Sequence, residues 1–180
     1  MLITISWKAG SGKWTVSRLL AAKLWYQHIS IWDIKRDLAA QMWLNIIEFN
    51  KLGEQPGKEK EFDLKYEDYQ RSLNPQDNIL LDSRLWFYCQ PDSFKVFLDV
   101  KDEVAASRII WDHRATDKFS TLQDAIKETQ NRNESDIQRY KHLYNIDFLD
   151  TSKFDLVIDT SDITAQQTVD QIISKLPNKS

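Results

Sequence analysis

The residues best suited to chemistry are Trp7-Lys8-Ala9-Gly10-Ser11-Gly12-Lys13-Trp14-Thr15, between a short apolar run and a helical pattern. Spaced glycines and a lysine at a helix start let successive main-chain N–H groups hold phosphate oxygens. The lysine then sets its charge on the β/γ oxygens. The full pattern, Gly-x-x-x-x-Gly-Lys-Ser/Thr, is met at Gly10, Gly12 and Lys13 but not at Trp7, the leading glycine position, or at Trp14 after the lysine. Gly-Ser-Gly-Lys also arises by chance. Its place directly after a buried strand favours the phosphate-binding reading.

The elements around this loop alternate. Leu2–Ser6, Asn78–Asp82, Phe94–Val100 and Leu156–Asp159 read as buried strands, with a weaker one at Tyr26–Ile29. Helical patterns separate them: Val16, Leu19, Leu20, Ala22 and Leu24 form a stripe, and Asn45 with Glu48 forms a capping box. Asp102–Ile110 is helical, Ser120 with Gln123 opens a long polar helix towards Tyr144, and Thr164–Leu176 is amphipathic. Gly53–Lys60 reads as the clearest loop. Strands alternating with helices predict a three-layer α/β/α fold, a five-stranded parallel sheet in one domain spanning 1–180.

Composition excludes several classes. The net charge of −3 and pI near 5.6 speak against a broad nucleic-acid-binding face. A single cysteine, Cys89, forms no internal disulfide and fits a reducing, cytoplasmic setting; it reads as a small buried hydrophobe more readily than as a nucleophile. No apolar run approaches the roughly 18 residues of a membrane span, and the N-terminus lacks a signal-peptide pattern. His28, His113 and His142 lack metal-ligand spacing.

The chain has only 4 Gly, where average usage of roughly 7% gives about a dozen, and 7 Trp. Trp25 and Trp43 follow helices where a left-handed residue, normally glycine, ends them, and Trp32 precedes Asp33 at a strand-to-helix turn. Stacking platforms for single-stranded nucleic acid are the alternative use of so many indoles. Glycine-like positions and the acidic pI disfavour it.

On these residues the chain resembles the cytidylate kinases, in their compact form, from Leu2 to about Leu176. The family loop reads Gly-x-x-Gly-Ser-Gly-Lys-Gly/Ser/Thr-Thr, and its next turn, Ser-x-Gly-Asp-x-x-Arg, is similar to Ser30-Ile31-Trp32-Asp33-Ile34-Lys35-Arg36. In such an alignment Trp7, Trp14, Trp25, Trp32, Trp43, Trp86 and Trp111 all stand at glycine positions, which is expected if they are UGA codons of an organism that decodes UGA as glycine.

The resemblance implies phosphoryl transfer from ATP to CMP or dCMP. It places ATP on residues 7–15 (Trp7, Lys8, Ala9, Gly10, Ser11, Gly12, Lys13, Trp14, Thr15) and on Arg114, in a lid at about 111–120. It places CMP on Ser30, Asp33, Arg36, Ser83, Arg84, Arg132, Asp136 and Arg139, with a monophosphate-binding region at about 30–72. Lys13, Arg84, Arg132 and Arg139 would be the catalytic cations. Arg84 follows a strand end, where open α/β sheets bind ligands. Arg36 follows Asp33 by three residues, and Arg132, Asp136 and Arg139 share one helical face, which an exposed ion-pair ladder would explain equally. Ser83, Asp92 and Ser93 are candidates for the base, Asp99 for capping the next helix, and Thr160 and Ser161 for the adenine loop. Mg2+ is implied with ATP, held by phosphates and water rather than directly by a side chain. The expected protein is a cytoplasmic monomer without a nucleic-acid polymer or membrane as partner. The alternatives are another small-molecule P-loop kinase, acting on AMP or a non-nucleotide acceptor, and a non-catalytic nucleotide-binding relative if Trp7 and Trp14 are genuine.

Overall fold

Leu2–Trp7 has almost no polar face to offer water, so as a strand it needs cover on both sides. The computed structural model, which describes residues 1–53, 58–74, 76–84, 86–111 and 121–177, places it at the centre of the molecule. In chain order the elements are β1 (Leu2–Trp7), α1 (Lys13–Leu24), β2 (Gln27–Ser30), α2 (Ile31–Gln41), α3 (Ile46–Gly53), α4 (Glu59–Ser72) and β3 (Ile79–Asp82). Then come α5 (Trp86–Cys89), β4 (Phe94–Asp99), α6 (Asp102–Trp111), α7 (Leu122–Tyr144), β5 (Leu156–Asp159) and α8 (Ala165–Lys175). The five strands pair in parallel in the order β2-β3-β1-β4-β5.

The period of two along each strand sorts the core into two layers. Ile3 and Ile5 of β1 and Leu80 of β3 pack with Val16 and Leu20 of α1 and Val169 and Ile172 of α8. Leu2, Ile79 and Leu81 face the other way, onto Ile34, Phe49, Phe62 and Tyr66 of α2, α3 and α4. The predicted three-layer parallel fold is therefore the observed one. Within α1 the buried face is Val16, Ser17, Leu20 and Ala21. Leu19 and Ala22 of the predicted stripe lie roughly 130° and 170° from the centre of that face and are exposed.

Helix boundaries follow capping chemistry with two departures. Asn45 and Glu48 form the reciprocal bonds expected of them, at 2.9 Å each. The long helix opens one residue later than Ser120 predicts, because Thr121 is extended and its Oγ1 accepts the Asp124 amide. The predicted loop is also shorter: Gly53 ends α3, while Glu59 and Lys60 already belong to α4.

Trp25 and Trp43 both sit at φ +58°. At each, the following residue's amide returns to the carbonyl five positions back (Tyr26 to Ala21, Leu44 to Ala39) and the tryptophan's own amide to the one three back. That pair of bonds is the glycine-type helix stop. Their indoles are 91% and 96% exposed, so no packing offsets the left-handed backbone, which costs a side-chain-bearing residue about 1–2 kcal/mol. Asn145, the third non-glycine residue at positive φ among the described ones, is of a type that tolerates it. Trp32 differs from the expected turn residue, since it lies inside the first turn of α2, after the Ser30 cap.

Candidate active site

β1 is the switch point of the sheet: the chain leaves it for β2 on one side and later for β4 on the other, opening a crevice at the strands' carboxyl ends. A cleft of about 1350 Å³ lies there, lined by residues 7 and 9–16, by Ser83 and Arg84, and by parts of α2, α4, α6, α7 and α8. Ligand pockets commonly span about 300–1,000 Å³, so this one has room for two nucleotides.

The loop between β1 and α1 is held by its own backbone. Lys8 N–H donates to Leu98 O at 3.0 Å and Ser11 N–H to Lys8 O at 3.2 Å. Gly10 and Gly12 take φ +81° and +78°. At Gly10 a Cβ would come within 2.6 Å of the Ala105 Cα, so α6 packs where only hydrogen fits. The Asn133 side chain on α7 accepts from Ala9 N–H at 3.4 Å. The Thr160 hydroxyl, after β5, lies within hydrogen-bond reach of Ser11 O (3.1 Å) and Asp99 O (2.9 Å). Arg108, which the sequence reading did not single out, donates to Thr160 O at 2.6 Å and to Gly10 O at 3.5 Å. Thr160, an adenine-loop candidate, thus braces the phosphate loop, while Ser161 donates from its backbone and hydroxyl to Asp159.

Lys13 reaches across to β3, where Asp82 is fully buried. Lys13 Nζ lies 3.1 Å from Asp82 Oδ1, and His28 Nε2 lies 2.8 Å from Oδ2. A buried carboxylate without such partners would be strongly destabilised. No spacing along the chain links positions 13, 28 and 82; the β2–β3–β1 order creates the cluster.

Arg84 forms an ion pair with Asp136 on α7, so two of the predicted acceptor-binding residues do meet. Burial lowers the Arg84 guanidinium from its usual value, with Tyr140 acting in the opposite direction, and among the described residues its Nε has no hydrogen-bond partner. The Trp7 ring takes up both cations: Lys13 Nζ stands 4.0 Å and the Arg84 guanidinium 5.5 Å from its centroid. An indole therefore occupies the space between the groups best placed to hold phosphate.

Ser30, Asp33 and Arg36 form a local cluster. Ser30 Oγ accepts the Asp33 amide at 3.2 Å and donates to its carboxylate at 2.8 Å, and Arg36 pairs with the same carboxylate. Partial burial raises the Asp33 pKa, but these bonds outweigh it and hold the carboxyl below its ordinary range. Among the described residues, α2 lines the cleft with Ile31, Trp32 and Lys35 rather than with Asp33 or Arg36. Arg132 and Arg139 lie on α7, but their side chains fall outside the described residues, as does Arg114 with the rest of 112–120.

Two expectations are corrected. Asp92 and Ser93 precede β4, at the amino ends of the parallel strands, which is the edge opposite the cleft. Ser93 there bonds Thr4 and Gln90 O instead. Asp99 does not cap α6: its carboxylate accepts Val100 N–H at 2.8 Å and pairs with Lys8 at 3.0 Å, tying β4 to the phosphate loop.

The cytidylate kinase-like family matches residues 2–162. A cytidylate kinase of Halobacterium salinarum is 40% identical over 164 residues, covering 89% of this chain and 81% of that one. The chain belongs to the cytidylate kinase-like family. It is an ATP-dependent nucleoside monophosphate kinase, and further cytidylate kinases match it at 33–39% identity. A relative with another name, an S-adenosylmethionine-dependent nucleotide dehydratase of Lacinutrix mariniflava, is 35% identical over 95% of this chain but only 35% of its own length. The fold is shared with a shikimate kinase of Bacteroides thetaiotaomicron, with a TM-score of 0.64 at 13% identity over 97% of this chain and 96% of that one.

Cys89 takes no part in the kinase's cleft: burial first, then the acidic Glu67 and Asp68, push its thiol up to about 12 against the pull of Arg71. Among the described residues no helix is long and apolar enough to cross a membrane.

Proposed function

We propose that this kinase transfers the ATP γ-phosphoryl group to CMP or dCMP, yielding ADP and CDP or dCDP, as a cytoplasmic monomer. The observation that carries the reading is the convergence of Lys13 and Arg84, from two strand ends, on one space above the phosphate loop.

In this reading the amides of Gly10, Gly12 and Lys13 hold the ATP phosphates, Thr15 lies by the α-phosphate, and Lys13 moves from Asp82 to the β/γ oxygens. Arg84, released from Asp136, binds the acceptor phosphate with its unpartnered Nε turned to an oxygen, and Arg132 and Arg139 add charge from α7. An acceptor phosphate oxygen then attacks the γ-phosphorus in line while the bond to the ADP oxygen breaks. The protein's contribution is alignment and charge neutralisation. Mg2+ comes with ATP and neutralises the phosphate charge.

Glycine at the seven tryptophan positions belongs to this reading. The glycine-type helix stops at Trp25 and Trp43, and the Trp7 indole between Lys13 and Arg84, support it. Four Gly plus seven Trp is eleven, near the dozen expected. Reading the seven codons tests it: UGA supports it, and UGG ends it. For the activity, CMP, dCMP, UMP and AMP are assayed side by side, with the chain as written and with a seven-fold Trp→Gly chain. Turnover of CMP or dCMP by the Gly chain is expected; turnover of AMP alone overturns the acceptor. ATP binding without turnover by either chain points to the non-catalytic reading, which the blocked loop of the Trp chain favours.

A further inference from the structure

With Asp92 and Ser93 on the far edge of the sheet, only Ser83 remains of the groups expected to read the base. The structure offers another on α4. Gln70 lines the cleft beside Tyr66, Ser83 and Arg84, yet is itself fully buried. Its Nε2 donates to the Tyr66 carbonyl at 3.0 Å, and a carbonyl only accepts, so this bond fixes which end of the amide is which. Among the described residues the other end, Oε1, has no hydrogen-bond partner. The end of α4 is held in place by Gln90, whose Nε2 donates to the Gln70 and Leu73 carbonyls.

A buried acceptor without a donor is costly and rare in folded proteins, and one on the wall of the cleft calls for a donor from a ligand. An amide oxygen only accepts, so the complementary group is an N–H donor. We infer that Gln70 is the specificity-determining residue of the acceptor site and accepts a hydrogen bond from the exocyclic amino group of the base. This rests on the monophosphate-kinase reading above and deepens it. Cytosine presents its 4-amino group to Gln70 Oε1. Uracil presents a carbonyl oxygen at the same edge, acceptor against acceptor, and the Tyr66 bond opposes the amide flip that would accommodate it. Discrimination then comes from leaving buried polar groups unpaired with the wrong base.

The test uses the seven-fold Trp→Gly chain and compares CMP with UMP for Gln70→Met, which keeps the length and removes the acceptor. The kcat/KM for CMP is expected to fall by about 30-fold, mostly through KM, with the UMP value and the KM for ATP little changed. A fall shared equally by CMP and UMP, or an unchanged CMP/UMP ratio, overturns the assignment. Should Gln70→Met melt below the assay temperature, the Gly chain without that change still decides. The 2-pyrimidinone analogue of CMP, which lacks only the 4-amino group, should turn over at least about 10-fold less efficiently than CMP. Equal efficiency sinks the role of the amino group. No CMP turnover at all overturns the parent reading; CMP turnover indifferent to Gln70 and to the amino group overturns only this one.

Discussion

The side of the cleft formed by the phosphate loop, α6 and the end of β5 is held by bonds to the loop's main chain, whereas the side formed by α2, α4 and the ends of β3 and α7 is held by pairs of side chains. On the first side, Gly10, Gly12, Thr160 and Arg108 fix the loop before any ligand arrives. On the second, Asp33 pairs with Arg36 and Arg84 with Asp136, so cations of that side are engaged with acids of the chain itself. A preorganised backbone binds without rearrangement. A site built from internal ion pairs must exchange each carboxylate for a phosphate, which ties its order to the arrival of the substrate.

The experiments that break or sharpen this contrast can be ranked by size. Lys13→Ala removes the cation at the start of α1, and kcat should fall by about 10³-fold in steady-state assays of the Gly chain. Loss confined to the KM for the acceptor would place Lys13 on the wrong side of the cleft. Gly10→Ala tests the close packing of the phosphate-loop side. A Cβ forced against Ala105 at positive φ should cost about 3 kcal/mol in denaturant unfolding and abolish ATP binding. Arg84→Lys tests the other side: the charge stays, but the two-pronged geometry is lost. We expect the acceptor kcat/KM to drop about 30-fold in initial-rate assays, with the KM for ATP unchanged. The smallest effect lies outside both walls. Trp25→Gly and Trp43→Gly should each raise stability by about 1 kcal/mol and the melting temperature by a few degrees. Destabilisation by either would contradict the glycine-type helix stop.

Legibility followed the same division. The phosphate loop could be read in the chain because its residues are contiguous and its chemistry depends on backbone spacing. The strands could be read because each is a short apolar run covered on both faces. Arg84 was found from its place at a strand end. Asp92 and Ser93 were misplaced because proximity to a strand does not say which end of it faces the cleft. Asp99 was misassigned because its partner, Lys8, is some ninety residues away in the chain.

The sequence alone therefore determined the layer architecture, the phosphate loop and the anomaly of few glycines against many tryptophans, since periodicity, turn chemistry and composition are local properties. Only the tertiary structure decided that His28 and Lys13 share the buried Asp82, that Arg108 and Thr160 brace the loop, and that Gln70 holds an unpartnered acceptor at the cleft. Those groups lie on separate elements, and strand order and helix packing alone bring them within hydrogen-bonding distance. The same structure turned the tryptophan anomaly into geometry, because the left-handed φ of Trp25 and Trp43 belongs to the helix stop whatever side chain stands there.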